Sequence, residues 1–266
     1  MNKMPLDICY GACLGDYVGS RFEFRNIKSK DFELFHEDCQ YTDDTIMTIA
    51  IKEACEKIKF EGYEIYEQAE KYFVDSMKKW GNAFPYVKGG YGQAFWSWLK
   101  DRNPKPYNSW GNGAAMRVSP VGWIFDTAEE VEKYAEWSAK PSHNHPEGIK
   151  GAKVTALCVF LARKGCTKDQ IREFVEQYYE LDRCDDIRPT YKFDASCQGT
   201  VPIAVECFLE STDFEDAIRL AISMGGDSDT IGAITGSIAG AFYDIPDFMK
   251  EKANSIMTTI FGDIMK

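Results

Sequence analysis

The stretch SMGGDSDTIGAITGSIAGAFY, residues 223–243, combines a helical pattern with a crowd of acids at its start. Glycine recurs there at every fourth position, at Gly232, Gly236 and Gly240. This spacing leaves one face of a helix nearly bare and predicts close packing against a second helix. Asp227, Asp229 and Thr230 stand at the mouth of the helix, although one side-chain oxygen is enough to cap it. The excess of oxygen donors indicates either repeated capping or a bound cation.

A second helix mouth of the same composition lies in YTDDTIMTIA, residues 41–50. Thr42, Asp43 and Asp44 precede a stripe of apolar residues with helical period. The two mouths together offer six hard oxygen ligands, a set that suits Mg²⁺ or Mn²⁺, including a pair of ions that share a carboxylate. Zinc is a poor match because both mouths lack sulfur and imidazole ligands. Independent capping of the two helices stays open as the alternative.

The overall composition is that of a soluble globular protein. Of 266 residues, 44% are hydrophobic and 27% are charged. The formal net charge of −11 disfavours unaided binding to nucleic acid or to an anionic membrane. An anionic ligand would need a local source of positive potential, such as a helix N-terminus or a bound metal.

The cysteines favour a reducing compartment. There are nine, scattered along the chain and without a C-x-x-C pair, so neither a disulfide framework nor a zinc knuckle is predicted. The first residues lack the apolar run of a secretory signal. The most apolar segment, residues 231–243, is shorter than the roughly 20 residues that span a bilayer. We expect a cytoplasmic protein that does not enter a membrane.

Helical signals dominate the rest of the chain, and no stretch alternates long enough to predict a strand. Asp126 and Glu129 predict a capping box. Pro146 and Thr167 each predict the start of a helix. Further helices are predicted over residues 196–209, 211–224 and 230–242. Since there is no linker, repeat or low-complexity segment, we predict one all-α domain over residues 1–266.

Two glycine-rich stretches, residues 89–92 and 108–113, interrupt the helical pattern. Such stretches form turns, and a backbone without side chains can also approach a ligand closely. Common phosphate and calcium motifs do not fit. GNGAAM lacks the third glycine of a dinucleotide fingerprint, DSDTIGAITGSI lacks the closing glutamate of an EF-hand, and no G-x-x-x-x-G-K-[ST] occurs.

Five motifs in order resemble the ADP-ribosylglycohydrolase family, to which dinitrogen reductase-activating glycohydrolase is related. They are GACLGDYVGSRFEF, YTDDT, GNGAAMR, SHNHPEGIKGA and GGDSDTIGAITGSIAGAFY, and they extend over residues 11–243. The resemblance implies an all-α, single-domain orthogonal helical bundle of that family's type, with two Mg²⁺ or Mn²⁺ ions in a cleft. The metal ligands that it implies are Thr42, Asp43, Asp44, Asp227, Asp229 and Thr230.

The resemblance also implies catalytic and ligand-binding residues. Glu23 matches an acidic residue that the family places beside the metals on a mobile segment, and either Glu23 or Asp44 would act as the base. Asp16 matches the family's GD pair, with a supporting structural role equally open, and a structural role is the default for His145. The implied substrate-binding residues are Gly90, Tyr91, Gly92, Ser109, Trp110, Gly111, Asn112, Gly113 and His143.

The implied activity is metal-dependent cleavage of the N- or O-glycosidic bond at C1 of the distal ribose, which releases ADP-ribose. The expected partner is an ADP-ribosylated protein or a small-molecule substrate, and the chain is expected to be a monomer without direct nucleic-acid binding. Two alternatives remain at this level. One is a non-catalytic ADP-ribose-binding or crystallin-like structural relative. The other is a metal-dependent hydrolase of a different ribosyl or phosphoryl bond.

Overall fold

Helices form the regular secondary structure of the part of the chain that the computed structural model describes, residues 6–264, which contains no strand. A short 3₁₀ helix (Leu6–Cys9) precedes the first α-helix. The α-helices are α1 (Tyr10–Gly19), α2 (Asp43–Glu61), α3 (Tyr66–Ala83), α4 (Gln93–Lys100), α5 (Gly113–Met116), α6 (Ser119–Ile124), α7 (Ala128–Ala139), α8 (Pro146–Arg163), α9 (Lys168–Val175), α10 (Cys184–Ile187), α11 (Cys197–Glu210), α12 (Phe214–Ser223), α13 (Ser228–Phe242) and α14 (Asp247–Ile264). The prediction of an all-α helical bundle is confirmed.

Helix α13 lies in the middle of the bundle and is buried over residues 228–239. Its glycine face packs against α1, which has glycines at the same spacing. A Cβ atom on Gly15 would collide with the carbonyl oxygen of Gly232, and a Cβ atom on Gly11 would collide with that of Gly236. The two helices therefore meet backbone to backbone. The close packing predicted for α13 is confirmed, but its partner α1 was not predicted.

Two hydrophobic clusters flank this helix pair. One is built largely from α2, α3, α6 and α7, with Phe73 and Trp80 among its buried rings. The other is built largely from α8, α11, α12 and α13, with Phe208 and Phe214 among its buried rings. Burial of a side chain of this size contributes roughly 1.5–3 kcal/mol. The two clusters hold the N-termini of α2 and α13 in fixed positions between them.

The capping box predicted before α7 is shifted by one residue. Thr127, not Asp126, caps the helix: its hydroxyl accepts from the N–H of Glu130 at 3.2 Å, and the Glu130 carboxylate accepts from the N–H of Thr127 at 3.1 Å. Asp126 instead pairs with Lys59 at 2.7 Å. The prediction from Asp126 and Glu129 was wrong because both candidate pairs have the same spacing, and the ion pair with Lys59 removes Asp126 from the cap.

The other helix starts follow their local signals. Thr42 caps α2, Pro146 lies in the first turn of α8, and Thr167 caps α9. Both glycine-rich stretches are non-helical as predicted, except that the last residue of the second, Gly113, begins α5. None of the helices between residues 6 and 264 combines the length and the apolar character needed to cross a bilayer.

Candidate active site

The N-termini of α2 and α13 meet at one wall of a cleft of about 430 Å³. Asp44 from α2, Asp229 from α13 and Asp16 from α1 each offer a carboxylate oxygen, and the three oxygens lie within 4.8 Å of one another. Glu23, Asp227 and Asp229 form a second group, in which one carboxylate oxygen from each residue again lies within 4.8 Å of the others. Asp229 therefore belongs to both groups. The structure brings together acids that are far apart in the chain.

Asp16 fixes the start of α2. It is fully buried and accepts hydrogen bonds from the N–H groups of Thr42, at 2.9 Å, and Thr45, at 3.1 Å. Both threonine hydroxyls also donate to it, that of Thr42 at 2.7 Å. Burial raises the pKa of Asp16 to about 6, although these four hydrogen bonds favour the charged form and lower it. Asp16 thus holds the α2 mouth in place from behind.

Thr42 does not line the cleft. Its hydroxyl accepts from the N–H of Asp44 at 3.2 Å and so caps α2. The same oxygen lies 2.7 Å from Asp16 Oδ1 and 3.1 Å from Asp44 Oδ2. One hydroxyl proton cannot serve both carboxylates. With the proton on the shorter contact to Asp16, the contact with Asp44 is satisfied either by a proton on that carboxyl, whose pKa burial raises well above its usual range, or by a nearby cation.

The α13 mouth is not explained by capping. Asp227 occupies the N-cap position but makes no capping hydrogen bond. Its Oδ2 instead accepts from the side-chain amide of Asn112 at 2.7 Å. Asp229 Oδ1 accepts from the N–H of the next residue, Thr230, at 3.0 Å. These acids therefore face the cleft, which Asp43 and Thr230 also line.

The acids are crowded without a cation. Burial is the main cause that raises the pKa values of Asp43, Asp44 and Asp229 well above the usual range, and neighbouring carboxylates raise them further. Glu23 Oε2 and Asp44 Oδ1 are buried and accept no hydrogen bond from any residue in the described range 6–264. Buried acceptors of this kind are costly unless they are paired. The all-oxygen donor set suits a hard divalent ion, so the cluster can hold one.

The metal-free protein should lose stability as the pH rises from about 4 to above 7. A carboxyl whose pKa is raised by folding contributes stability below its unfolded pKa of about 4. That contribution is lost as the pH rises through the folded values, about 6 for Asp16 and about 7 for Glu23. We expect Mn²⁺ or Mg²⁺ to raise the Tm more at a pH of about 8 than at about 5.5, as measured by thermal melting at matched ionic strength. An equal metal-induced shift at the two pH values would contradict this electrostatic account.

Two glycine-rich segments form the opposite walls of the cleft. Most of the predicted substrate-binding residues line it: Gly90, Tyr91, Gly92, Ser109, Gly111, Asn112, Gly113 and His143. Gly89 and Gly90 have φ values of +73° and +77°, which favour glycine. A Cβ atom on Gly89 would lie only 2.7 Å from Glu23 Oε2. Glycine at this position therefore gives the Glu23 carboxylate room beside the wall.

Trp110 is the exception among the predicted substrate-binding residues. Its side chain is 53% exposed and does not line the cleft. The ring packs edge-on against His145, with 5.6 Å between the ring centroids. His145 itself caps α8, since its Nδ1 accepts from the N–H of Glu147 at 3.1 Å. In this conformation Trp110 covers a helix end instead of facing the site.

His143 is held in place, through Ser142, by a buried arginine. Arg117 donates to Ser142 Oγ at 2.8 Å, and Ser142 Oγ lies 2.8 Å from His143 Nδ1. The contact with Ser142 engages Nδ1 of the imidazole, whichever of the two groups donates, and leaves Nε2 for the cleft. Burial, and then Arg117, lowers the pKa of His143 well below its usual value. Nε2 faces the cleft beside Gly113.

Several residues that line the cleft were missed from the sequence. Arg117 lies in the quoted GNGAAMR motif, but nothing in the sequence shows that its side chain is buried under the cleft floor. Phe24 and Phe193 rim the opening with exposed rings. Phe24 directly follows Glu23, which was the available signal. Phe193 lies far from every motif, and no local pattern identifies it.

Comparisons with known proteins agree with this architecture. The ADP-ribosylglycohydrolase family model matches residues 6–259. The chain is 26% identical to ADP-ribosylhydrolase ARH3 of Mus musculus over an alignment 315 positions long, which covers 88% of this chain and 82% of that protein. ARH3 of Homo sapiens is also 26% identical, with coverage of 88% and 83%. A solved structure, described as an ADP-ribosylglycohydrolase-related protein complex, covers 97% of both chains with a TM-score of 0.66 at 19% identity, which shows the same fold.

The family match takes in both acidic helix mouths, the two glycine-rich walls and the histidine between them. A glycohydrolase is the class of enzyme that the family and its named relatives indicate. This chain belongs to the ADP-ribosylglycohydrolase family.

Proposed function

We propose that the chain hydrolyses the glycosidic bond at C1 of the distal ribose in ADP-ribosylated substrates and releases ADP-ribose, with two Mg²⁺ or Mn²⁺ ions as cofactors. The observation that carries the proposal is the position of Asp229. Asp229 belongs to two groups of carboxylate oxygens that lie within 4.8 Å of one another, one with Asp16 and Asp44 and the other with Glu23 and Asp227. Two adjoining groups of carboxylates on one cleft wall suit two ions better than one.

The proposed metal ligands come from both helix mouths. They are Thr42, Asp43, Asp44, Asp227, Asp229 and Thr230. Thr42 would contribute a remaining lone pair of its hydroxyl, since its proton is directed to Asp16. Divalent ions bound there would supply orientation of the ribose hydroxyls and a lower pKa for a water molecule.

We assign proton transfer to Glu23 rather than to Asp44. The Glu23 carboxylate lines the cleft, and its Oε2 accepts no hydrogen bond within residues 6–264. Burial, and then Asp227, raises its pKa to about 7, close to the value at which a general base works best near neutral pH. Asp44 is nearly inaccessible and belongs to the innermost group of oxygens. In the proposed step a water adds to C1 as the C1–N or C1–O glycosidic bond breaks. Glu23 takes a proton from the water and passes it to the nitrogen or oxygen of the leaving group.

The walls of the cleft suit an ADP-ribosyl group. The backbone around residues 111–113 can approach a diphosphate closely because the glycines carry no side chains. With its proton on Nε2, His143 would present an N–H to the same space, and the buried Arg117 adds a positive charge beneath it. These donors offset the negative potential that the carboxylates would otherwise impose on an anionic substrate.

We also propose a cytoplasmic monomer. All nine cysteines are unpaired, and only Cys166 among them is not buried. Reduced thiols suit a reducing compartment.

Incubation with a panel of ADP-ribosylated proteins, peptides and nucleotides, read by mass spectrometry, tests the function. We expect intact ADP-ribose and the unmodified acceptor as products, formed with Mn²⁺ or Mg²⁺ and not in excess chelator. Release of AMP would instead show cleavage at the diphosphate. Tight ADP-ribose binding without turnover of any substrate would show a non-catalytic reader. Either outcome would overturn the proposal.

A further inference from the structure

Asn26 joins the segment that carries Glu23 to the turn that carries Asp227. Its side-chain amide donates to the carbonyl oxygen of Gly226 at 2.9 Å, and its Oδ1 accepts from the N–H of the same residue at 2.8 Å. The carboxamide thus pairs with Gly226 in both directions, as one peptide group pairs with another. Gly226 immediately precedes Asp227, and Asn26 follows Glu23 by three residues.

The same side chain also shapes the turn around Glu23. Its Nδ2 lies 2.7 Å from the carbonyl oxygen of Phe22 and 3.0 Å from that of Glu23. Two amide protons thereby serve three carbonyl oxygens, those of Phe22, Glu23 and Gly226. Both protons of the Asn26 amide are used in holding two backbone segments that are 200 residues apart.

The turn on the other side is enclosed. Gly225 and Gly226 have φ values of +66° and +72°, and a Cβ atom on Gly225 would lie 3.2 Å from Asn26 Cβ. Lys28 donates to the carbonyl oxygens of Met224 at 2.5 Å and Tyr191 at 2.8 Å, and the first of these bonds adds a second tie between the same two segments. The segment over residues 22–28 and the turn over residues 224–227 therefore form one connected unit.

We infer that Asn26 is the positioning residue that sets the Glu23 carboxylate against Asp227 and Asp229. The inference rests on the proposed function, in which Glu23 transfers the proton. Asn26 acts through Glu23, whose segment it fastens to the Gly226 turn, and it takes no part in the proposed bond cleavage. Asn26 is itself exposed and belongs to neither hydrophobic cluster, so its replacement removes no core packing. Its hydrogen bonds serve the site, not the bundle.

Asn26→Ala tests the inference through kinetics and metal binding. We expect kcat to fall about 100-fold, the effect of a catalytic group displaced by about 1 Å, while KM and Mn²⁺ affinity change less than about threefold. Asn26→Asp keeps an acceptor for the Gly226 N–H but turns a carboxylate toward three carbonyl oxygens. Its kcat should therefore be no higher than that of Asn26→Ala. Asn82→Ala is the matched control, because Asn82 is also an exposed asparagine whose amide donates to a backbone carbonyl, that of Lys78 at 2.8 Å.

A double-mutant cycle separates positioning from general damage. In a Glu23→Gln background, Asn26→Ala should cause little further loss of kcat, because the group it positions is already inactive. An equal loss of kcat in both backgrounds would show that Asn26 does not act through Glu23. An unchanged kcat for Asn26→Ala in the otherwise intact enzyme would overturn the inference directly.

Hydrogen exchange distinguishes failure of the inference from failure of the proposed function. In Asn26→Ala, the backbone amides of residues 22–28 and of Gly226 should exchange faster than in the wild type, and in Asn82→Ala they should not. If the wild-type chain hydrolyses no ADP-ribosylated substrate but Asn26→Ala shows this faster exchange, the proposed function fails and the tie stands. If these amides exchange at the wild-type rate in Asn26→Ala, Asn26 does not hold the two segments together, whatever the activity of the variant.

Discussion

Replacement of Asp229 by asparagine is expected to abolish metal-dependent release of ADP-ribose, with a loss of at least about 1,000-fold in kcat, which corresponds to about 4 kcal/mol. Asp229 is the residue that both carboxylate groups share. The substitution keeps the shape of the side chain but removes a charge from both groups at once. Steady-state kinetics in Mn²⁺ and in Mg²⁺, with ADP-ribose measured by mass spectrometry, check the expectation.

The same variant should be more stable than the wild type when metal is absent. Burial, and then Asp227, raises the pKa of Asp229 well above its usual range, so its ionised form is unfavourable at mildly alkaline pH. The asparagine side chain would have no charge to bury, and the Tm in chelator should rise. Asp169→Asn is the matched control, since Asp169 also lies in the first turn of a helix but is exposed. Full activity of Asp229→Asn in chelator would rule out the metal mechanism.

Replacement of Gly15 by alanine should cost about 3 kcal/mol or more of folding free energy, at the upper end of the usual range for overpacking. The added Cβ atom would collide with the carbonyl oxygen of Gly232 across the α1–α13 contact. Backbone atoms cannot move aside as a flexible side chain can, so the two helices must separate. Chemical denaturation, followed by helical CD, measures the loss.

Gly262→Ala is the control for helix propensity. Gly262 lies in α14, where a Cβ atom would meet no atom within 4 Å. Alanine should stabilise that helix by up to about 1 kcal/mol because glycine is the poorer helix former. The same chemical change is thus expected to act with opposite signs at the two positions. Stabilisation by Gly15→Ala would contradict the backbone contact described here.

Local signals in the sequence located most helices but not their partners. Thr42, Pro146 and Thr167 mark helix starts through interactions within a few residues, which a single sequence displays. The bare face of α13 was equally clear. The partner of that face, α1, was not predicted. Gly11 and Gly15 repeat the same four-residue spacing, but spacing alone does not say which two glycine faces meet.

The residues of the site were also predicted in part. The resemblance selected Asp229 and most of the residues that line the cleft, and their placement together agrees with that selection, while their chemical roles stay predictions. Trp110 was selected as well, but its ring is exposed and packs against His145 outside the cleft. The roles of Asn26 and Arg117 could not be predicted from the sequence, since their hydrogen-bond partners lie far away in the chain. A hydrogen bond between distant segments produces no repeating pattern in the sequence.

The α1–α13 contact also bears on how the protein can change over time. Asp16 and Asp229 sit on two helices whose separation is set by main-chain atoms, so no choice of rotamer can widen or narrow the gap between the helices. The exposed rims at Phe24 and Phe193 have no such constraint. Residues at the rim can therefore vary while the spacing of the acids is inherited unaltered.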